Sequence, residues 1–158
     1  MKRYFFVSIL NLLLCAWLPF LAHAGGQRSV TDLVGRSMTV PEQPRRVVAL
    51  APSITEIVYA LQMEACLAGV TRFSDFPLPA QSLPKVGSYV KLDVERIAAL
   101  KPDLCIAISD GNPVASVEQL QTLRIPVFAV NPHDLQSVMQ SILAIADLLG
   151  AERKARII

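Results

Sequence analysis

Four short apolar runs alternate with stretches of helical periodicity, and this alternation constrains the fold more than any other feature of the chain. The runs are rich in Val, Ile and Leu and end at turn residues, as buried strands do. Strands joined by helices need right-handed crossovers, and therefore a parallel sheet with both faces covered. We predict an α/β fold with one doubly wound, Rossmann-like parallel sheet. The expected strands are residues 47–51, 67–71, 104–109 and 127–131.

Helices are predicted between these strands and after the last one. The first begins at Ser53, because Ser53 and Glu56 form an S-x-x-E capping box ahead of an apolar face. Asp93 is the expected N-cap of the second helix, the fourth begins near Asp134, and Gly150 interrupts the fourth. The later helices are expected at residues 93–101, 113–123 and 134–149, with a further one beginning at residue 151.

A small hairpin is expected ahead of the sheet. Residues 29–40 contain two β-prone pieces on either side of Gly35 and Arg36. Pro41 and Pro44 close this segment, so the core of the domain should begin after it.

The first 24 residues have the organisation of an export signal. Lys2 and Arg3 precede an uncharged apolar run of eighteen residues, and Ala22-His23-Ala24 places small residues where signal peptidase reads them. We expect cleavage after Ala24 and a periplasmic chain without stable membrane insertion. A retained membrane anchor is the competing interpretation, which polar residues within the run and the lack of a basic stop-transfer cluster weaken. A lipoprotein site at Cys15 is a further alternative.

Removal of this leader would leave thirteen basic residues, fifteen less Lys2 and Arg3, against thirteen acidic ones. A formal net charge of zero provides no electrostatic basis for binding nucleic acid. We therefore expect no nucleic-acid partner.

Cys66 and Cys105 are the two cysteines that remain after cleavage. If their strands flank a common central strand, the two sulfurs are two strand spacings apart, roughly 9.5 Å, which is too far for a disulfide. We expect two buried free thiols.

Ligands bind outside the carboxyl ends of the strands in a sheet of this kind. The first of these turns lacks the glycines that let backbone approach a phosphate, so a nucleotide site is not expected. Ser53 has no elbow motif and no adjacent base, which makes capping its expected role rather than nucleophilic catalysis. One histidine, His133, and two strand-buried cysteines do not make a zinc or manganese site. The segments at the strand ends are residues 51–53, 72–75, 109–112 and 131–133.

Aromatic and acidic side chains follow these strand ends. Phe73, Phe76 and Tyr89 suit a shelf for a large flat ligand. In the alternative interpretation, Phe73 and Phe76 tuck under their own proline-rich loop as a satellite cluster. Hydrogen bonds to the local backbone of a turn are the favoured explanation for Asp75 and Asp110. The candidate ligand-binding residues are Phe73, Tyr89, Ser53, Ser109 and Asp110.

Several strings, taken in order, resemble one known family. They are VTDLVGRSMTVPEQPRRVVALAPSITEIVYAL, GVTRFSDFP, KVGSYVKLDVERIAALKPDL, and the IPVFAV strand with the amphipathic segment after it. Over residues 29–158 the chain resembles the periplasmic binding proteins with a helical backbone that serve cobalamin, ferric-siderophore and haem importers. The resemblance implies a binding protein and not an enzyme, without a resident cofactor. Its ligand would be a corrinoid or a ferric chelate, and its partner an ABC importer permease.

Within this family the chain is most similar to the cobalamin-binding branch, in which aromatic residues at the positions of Phe73 and Tyr89 line the corrinoid. The branch often has a further aromatic residue where this chain has Ile108, so ferric chelates stay open. Haem-binding relatives tend to place a ligating tyrosine directly after the glycine, where this chain has Ser88. The resemblance therefore ranks the ligands as cobalamin, then a ferric chelate, then haem.

Glu95 has two interpretations. It lies in the first turn of an expected helix, where the helix dipole stabilises a carboxylate. By resemblance it matches the lobe-tip glutamate that docks onto arginines of the membrane permease, and docking is the role that we expect.

Family members carry a second α/β lobe after a long connecting helix. The expected organisation is a signal peptide at residues 1–24, an amino-terminal lobe at 25–133, and at 134–158 a helix and the start of the interlobe helix, without the second lobe. Such a lobe should bind ligand weakly or not at all. The alternatives are an interaction module that docks without delivering ligand, and a small enzyme that would depend on His133 as its base.

Overall fold

The computed structural model describes residues 26–157, and the expected signal peptide with its cleavage after Ala24 lies outside them. Within this range no helix combines the length and the apolar character that crossing a membrane requires. In chain order the elements are β1 Gln27–Thr31, β2 Ser37–Pro41, β3 Val47–Ala49, α1 Pro52–Ala60, β4 Leu67–Val70, β5 Gly87–Ser88, β6 Lys91–Leu92, α2 Val94–Ala99, β7 Leu104–Ile108, α3 Val114–Thr122, β8 Val127–Val130, α4 Leu135–Leu149 and α5 Glu152–Ala155, with 3₁₀ turns at Glu64–Cys66 and Leu78–Ser82.

Four parallel strands form the central sheet in the order β4-β3-β7-β8. α1 connects β3 to β4, α2 lies in the connection from β4 to β7, and α3 connects β7 to β8. The chain therefore winds in one direction from β3 to β4 and in the other from β7 to β8. The switch point lies between β3 and β7, and the predicted α/β class with a parallel sheet is confirmed.

Both faces of this sheet are buried under helices. On one face Ile54 of α1 and Ile145 of α4 pack in the same cluster as Ile106 of β7. On the other face Ile97 of α2 and Leu120 of α3 pack with the opposite side of β7. Consecutive strand residues point to opposite faces, so continuous apolar runs are needed to fill both clusters.

Other segments cover both edges of the sheet. β1 and β2 form the expected antiparallel hairpin. Its turn lies along β8, where the Leu33 N–H donates to the Ala129 carbonyl at 3.0 Å and the Ala129 N–H donates to Asp32 Oδ2 at 3.4 Å. At the opposite edge Val70 of β4 exchanges backbone hydrogen bonds of 2.9 and 3.0 Å with residues 84–86. Neither outer strand is left as an open edge.

The start of α1 differs from the prediction. The helix begins at Pro52, its N-cap is Ala51, and no side chain caps it. Proline suits the first turn because its fixed φ is helical and it has no N–H to satisfy. With Pro52 inside the helix, Ser53 is already helical and exposed, so its hydroxyl cannot cap. The predicted capping box of Ser53 and Glu56 is therefore wrong.

The cap predicted at Asp93 is confirmed, and the fourth helix, predicted to begin near Asp134, also has a side-chain cap. The Asp93 carboxylate accepts a hydrogen bond from the Arg96 N–H at 3.0 Å at the start of α2. At the start of α4, Asp134 accepts from the Ser137 N–H at 2.7 Å, and the hydroxyl of Ser137 accepts from the Asp134 N–H. Gly150 ends α4 in the left-handed conformation with φ of 68°, which glycine adopts without strain.

The two cysteines of the described residues are free and buried, as predicted. Cys105 lies in β7 and Cys66 immediately precedes β4, so β3 lies between their strands. Burial raises the pKa of the Cys66 thiol to about 11 and that of the Cys105 thiol to about 12. Both thiols therefore stay protonated and unreactive while the chain is folded.

These thiols should make the fold less stable in alkaline solution. Unfolding exposes groups that ionise near pH 9.0, whereas the folded chain keeps the Cys66 proton to about pH 11. Their contribution to the free energy of unfolding should be complete below pH 9 and should fall as the pH rises from there to 11. Urea unfolding at several pH values between 9 and 11 measures this fall in the free energy of unfolding. The Cys66→Ala, Cys105→Ala double variant should lose less stability over the same interval, and an identical decline would contradict the assignment.

Candidate functional site

The carboxyl ends of β3 and β7 meet the β5–β6 hairpin at the switch point. The two residues of the hairpin turn are Tyr89 and Val90, between the paired residues Ser88 and Lys91. The loop after β4 joins the hairpin directly, because the Arg72 N–H donates to the Gly87 carbonyl at 2.7 Å. Sequence segments far apart therefore form one surface at this edge of the sheet.

The side-chain amide of Asn112 holds this surface together. Its Nδ2 donates to the carbonyls of Leu50 and Tyr89, each at 2.8 Å, and its Oδ1 accepts from the Ile108 N–H at 2.8 Å. Asn112 is only 7% exposed, so these bonds satisfy an amide that water barely reaches. Sequence analysis identified the segment only as a turn, because the distant partners of the amide leave no local pattern.

Tyr89 lies against Gly111 and beside Ile108. A Cβ placed on Gly111 would be 3.0 Å from Cδ2 of Tyr89 and 2.8 Å from Cδ1 of Ile108. A side chain at this position would push against the Tyr89 ring and the end of the Ile108 side chain, and the larger the side chain, the further both would have to move. Tyr89 is half-buried and packs against the core cluster of α1 and α4. The ring is thus fixed in place while part of it faces solvent.

Phe73 and Phe76 are exposed, at 51% and 68%, so they do not tuck under their own loop. The guanidinium of Arg72 lies over the Phe73 ring, 5.4 Å from its centroid, at cation–π distance. This contact leaves much of Phe73 open. Of the two interpretations of these aromatics, the exposed shelf agrees with the structure and the satellite cluster does not.

Buried hydroxyl groups fix the loop that carries Phe73. Ser74 Oγ accepts from Thr55 Oγ1 at 3.0 Å and lies 2.9 Å from Thr71 Oγ1. All three residues are at most 1% exposed. The contact ties the loop after β4 to the first turns of α1, which limits the freedom of the neighbouring aromatic side chain.

Lys85 fixes the far half of the same loop. Its ammonium donates to the carbonyls of Ser74 and Ala80 at 2.9 and 3.0 Å. Partial burial lowers the pKa of Lys85, an effect that the nearby Asp75 carboxylate opposes. Sequence analysis missed Lys85 as well as Thr55, Thr71 and Ser74, since lysines and hydroxyl residues are common on surfaces and none forms a motif here.

The polar candidates at this edge are exposed, and the structure does not gather them around one point. Ser53 lies near the start of α1, and Ser109 donates to Asn131 Oδ1 at 2.6 Å. The side chains of Asp75 and Asp110 make no hydrogen bond within residues 26–157, so the expected bonds to their local backbone are wrong. In the second of these turns Asn112 makes the backbone bond instead, because its amide both donates and accepts.

His133 offers neither a metal site nor a base for Ser53. Its Nδ1 lies 3.0 Å from the Asn131 carbonyl and its Nε2 lies 3.7 Å from Asp134 Oδ2, and the side chain is 64% exposed. No group of three metal-ligating side chains occurs in the part of the chain that the structure describes. Partly exposed aromatic rings on hydrogen-bonded loops are features of a binding surface.

Glu95 lies in the first turn of α2, as predicted, and its side chain is exposed. Within the described range its carboxylate makes no ion pair, whereas the neighbouring Asp93 and Arg96 pair with each other at 3.1 Å. Glu95 is therefore available to an external partner.

Comparison with known proteins identifies the family. Residues 47–157 match the model of the family described as periplasmic binding protein. The chain belongs to the periplasmic binding protein family. The vitamin B12-binding protein of Yersinia pestis, strain Pestoides F, is 39% identical over 112 residues, which is 70% of this chain and 40% of the relative. The chain thus spans about 40% of the length of the curated relatives that it matches.

Solved periplasmic binding proteins share the fold. A periplasmic haem-binding protein of Pseudomonas aeruginosa aligns with a TM-score of 0.69 and 30% identity, over 72% of this chain and 41% of that one. The periplasmic vitamin B12-binding protein of Vibrio cholerae aligns with a TM-score of 0.62 and 28% identity, over 74% of this chain and 49% of that one. These relatives are binding proteins of the periplasm and not enzymes, and the expected family and fold are confirmed.

Loss of the Asn112 amide should weaken the fold. Asn112→Ala leaves three backbone groups without their partner, and we expect a loss of about 2–3 kcal/mol in the free energy of unfolding. Asn112→Asp should also destabilise, because a carboxylate cannot donate to two carbonyls. Urea unfolding measures both, with Asp110→Ala as a neighbouring exposed control expected to change stability by less than about 0.5 kcal/mol. Equal midpoints for Asn112→Ala and Asp110→Ala would contradict the role of the amide.

Proposed function

We propose that this chain forms the ligand-facing amino-terminal lobe of a substrate-binding protein that delivers cobalamin or a related chelate to an ABC importer. The observation that carries the proposal is the immobilised aromatic surface at the switch point. Tyr89 lies on Gly111 and beside Ile108, and Asn112 holds the backbone of its hairpin. Phe73 stands half exposed on a loop that buried hydroxyls fix.

A flat macrocycle fits such a surface because aromatic rings bury a large area with little loss of side-chain freedom. Hydrogen bonds hold the backbone on which both rings stand, so less conformational freedom is lost when a ligand contacts them. Ile108 adds an aliphatic contact beside Tyr89. The five candidates Phe73, Tyr89, Ser53, Ser109 and Asp110 are proposed as ligand contacts, with the two aromatics as the main ones.

One lobe alone should bind weakly. Two aromatic contacts that each bury about 100 Å² contribute roughly 5 kcal/mol at 25 cal/mol per Å². The loss of translational and rotational freedom opposes association by an estimated 4–15 kcal/mol. A second binding surface, on the other side of the ligand, is therefore needed for tight binding. The longer curated relatives are consistent with ligand held between two lobes, and the proposed organisation remains a lobe at residues 25–133 followed by helices toward a second lobe.

Cobalamin is favoured over haem by the curated relatives and by the hairpin sequence. The 39%-identical relative is a vitamin B12-binding protein. Ser88, which stands between Gly87 and Tyr89, is 3% exposed and its hydroxyl accepts from the Lys91 N–H at 3.0 Å. Ser88 is thus a structural residue of the turn and does not face a ligand. Ferric siderophores and haem form the second candidate class, supported by the haem-binding structural relatives.

The same proposal includes export and permease docking. The periplasmic relatives support a periplasmic location, to which a leader cleaved after Ala24 would direct the chain. The exposed carboxylate of Glu95 supports contact with permease arginines. An interaction module that docks without delivering ligand differs from this proposal in ligand binding alone. The hypothesis of a small enzyme is disfavoured because His133 does not contact Ser53. A catalytic activity that is lost in the His133→Ala variant would be needed to support that hypothesis.

Titration calorimetry tests the ligand. We expect weak or undetectable binding of cyanocobalamin to the chain alone, and saturable binding to a version joined to the second lobe of the Yersinia pestis relative. In the joined protein Tyr89→Ala and Phe73→Ala should each weaken binding roughly tenfold, about 1.4 kcal/mol. Gly111→Val should do the same by displacing Tyr89. Leu123→Ala, an exposed apolar residue at the other end of α3, is the matched control and should leave affinity unchanged.

The outcomes separate the candidate ligands. Binding of a ferric siderophore or haem in place of cyanocobalamin would move the assignment to the second class. Equal affinity of the Tyr89, Phe73 and Leu123 variants would place the ligand elsewhere and overturn the proposed surface.

Docking is tested by charge reversal. Glu95→Arg should abolish capture of the chain by a permease held in lipid nanodiscs, because the substituted side chain repels arginines. Glu118→Arg, an exposed glutamate on α3, changes the net charge equally and should have little effect. Equal capture of both variants would exclude Glu95 as the docking residue.

A further inference from the structure

A groove of about 510 Å³ lies beside Glu95, between the β5–β6 hairpin, the start of α2 and α3. Glu95 lines it together with Arg72, Lys91 and Gln119. The first residues of α2 and the backbone of the hairpin form the rest of its wall. The groove therefore adjoins the proposed docking residue and extends beyond it.

Charges of both signs line this groove, and in the described part of the chain Glu95, Arg72 and Lys91 belong to no ion pair. Within residues 26–157, no salt bridge or side-chain hydrogen bond involves the carboxylate of Glu95, the guanidinium of Arg72 or the ammonium of Lys91. Asp93 is not available, because its carboxylate caps α2 and pairs with Arg96 at 3.1 Å. The groove thus presents one free negative and two free positive side chains.

The opposite charges of the groove do not pair with one another. Arg72 lies over the Phe73 ring, 5.4 Å from its centroid, and no nitrogen of Arg72 or Lys91 comes within 4.0 Å of the Glu95 carboxylate. Separated opposite charges in one groove match a partner that carries the inverse pattern. A partner that is only positive would gain from Glu95 but would be repelled by Lys91 and Arg72.

We propose that the groove receives a surface loop of the importer permease that presents a basic side chain to Glu95 and an acidic side chain to Lys91 and Arg72. This inference rests on the proposed docking of Glu95 and adds the second, opposite contact. Lys91 and Arg72 then determine which permease is accepted. A loop that lacks the acidic side chain would bring its basic side chain close to two uncompensated cations, and their repulsion would disfavour it.

The proposal and the simpler docking by Glu95 alone predict opposite effects of Lys91→Glu. If the permease loop contacts both Glu95 and Lys91, Lys91→Glu removes the attraction between Lys91 and the acidic side chain of the loop. Binding should then weaken on the order of tenfold. If Glu95 is the only contact, the same substitution removes the repulsion between Lys91 and the basic side chain of the permease. It also adds a carboxylate that attracts this side chain, so binding should strengthen. Arg153→Glu on α5, exposed and outside the groove, makes the same change in net charge.

The experiment measures binding of the full chain to the permease of the Yersinia vitamin B12 importer in lipid nanodiscs. The vitamin B12-binding protein of Yersinia pestis serves as the positive control. Wild type, Glu95→Arg, Lys91→Glu, Arg72→Glu and Arg153→Glu are compared at two salt concentrations. The exposed positions should leave the urea midpoint of each variant unchanged, and this is measured first.

Weakening by Glu95→Arg, Lys91→Glu and Arg72→Glu, with Arg153→Glu close to wild type, is the expected result. Weakening by Glu95→Arg with strengthening by Lys91→Glu would overturn the two-charge groove and leave docking by Glu95 intact. Equal weakening by Lys91→Glu and Arg153→Glu would also overturn it, because the effect would then come from net charge. Absence of any binding by the wild-type chain, beside a positive control that binds, would overturn docking and groove together.

Discussion

The buried amide of Asn112 joins three segments that are distant in the sequence: the end of β3, the turn of the β5–β6 hairpin and the end of β7. A hydrogen bond of this kind contributes about 1 kcal/mol, so its importance is geometric as much as energetic. The hairpin carries Tyr89 and the end of β7 carries Ile108. The Asn112 side chain therefore sets the position of these two residues relative to each other, in the surface that we assign to the ligand. The neighbouring Gly111 completes the arrangement by letting the ring approach the backbone.

Rigidity of this edge follows from a division between buried and exposed groups. The bonding groups, the amide of Asn112 and the hydroxyls of Thr55 and Ser74, lie beneath the surface, where few water molecules compete. The rings of Phe73 and Tyr89 lie above them and face outward in part. A lobe built in this way can present aromatic area without collapsing it into the core, as the binding of a flat chelate that we propose would require.

The sheet, its helices and the free thiols could be predicted from the sequence because continuous apolar runs and helical periodicity are local patterns. The N-cap of α1 could not be predicted, since Pro52 and Ser53 both suit the start of a helix. The helix begins at Pro52, so Ser53 lies one residue inside it and cannot be the cap. Asn112 was beyond prediction for a different reason, because one of its partners lies 62 residues away and only the folded topology brings the two together. Lys85 bonds to carbonyls only 11 and 5 residues away, but a lone lysine forms no motif that would reveal those bonds. The aromatic shelf was predicted from positions after the strand ends and then supported by resemblance, whereas the docking role of Glu95 came from resemblance alone; both stay predictions.

The covered edges of the sheet determine how copies of this lobe meet one another. Within the described residues both outer strands of the central sheet already have partners, so this sheet offers no open strand to a second copy. Exposed apolar side chains, Phe73 among them, offer another surface for self-association. A chelate bound where we propose would cover the same side chain, and so the cargo would act as a solubilising cap for its carrier.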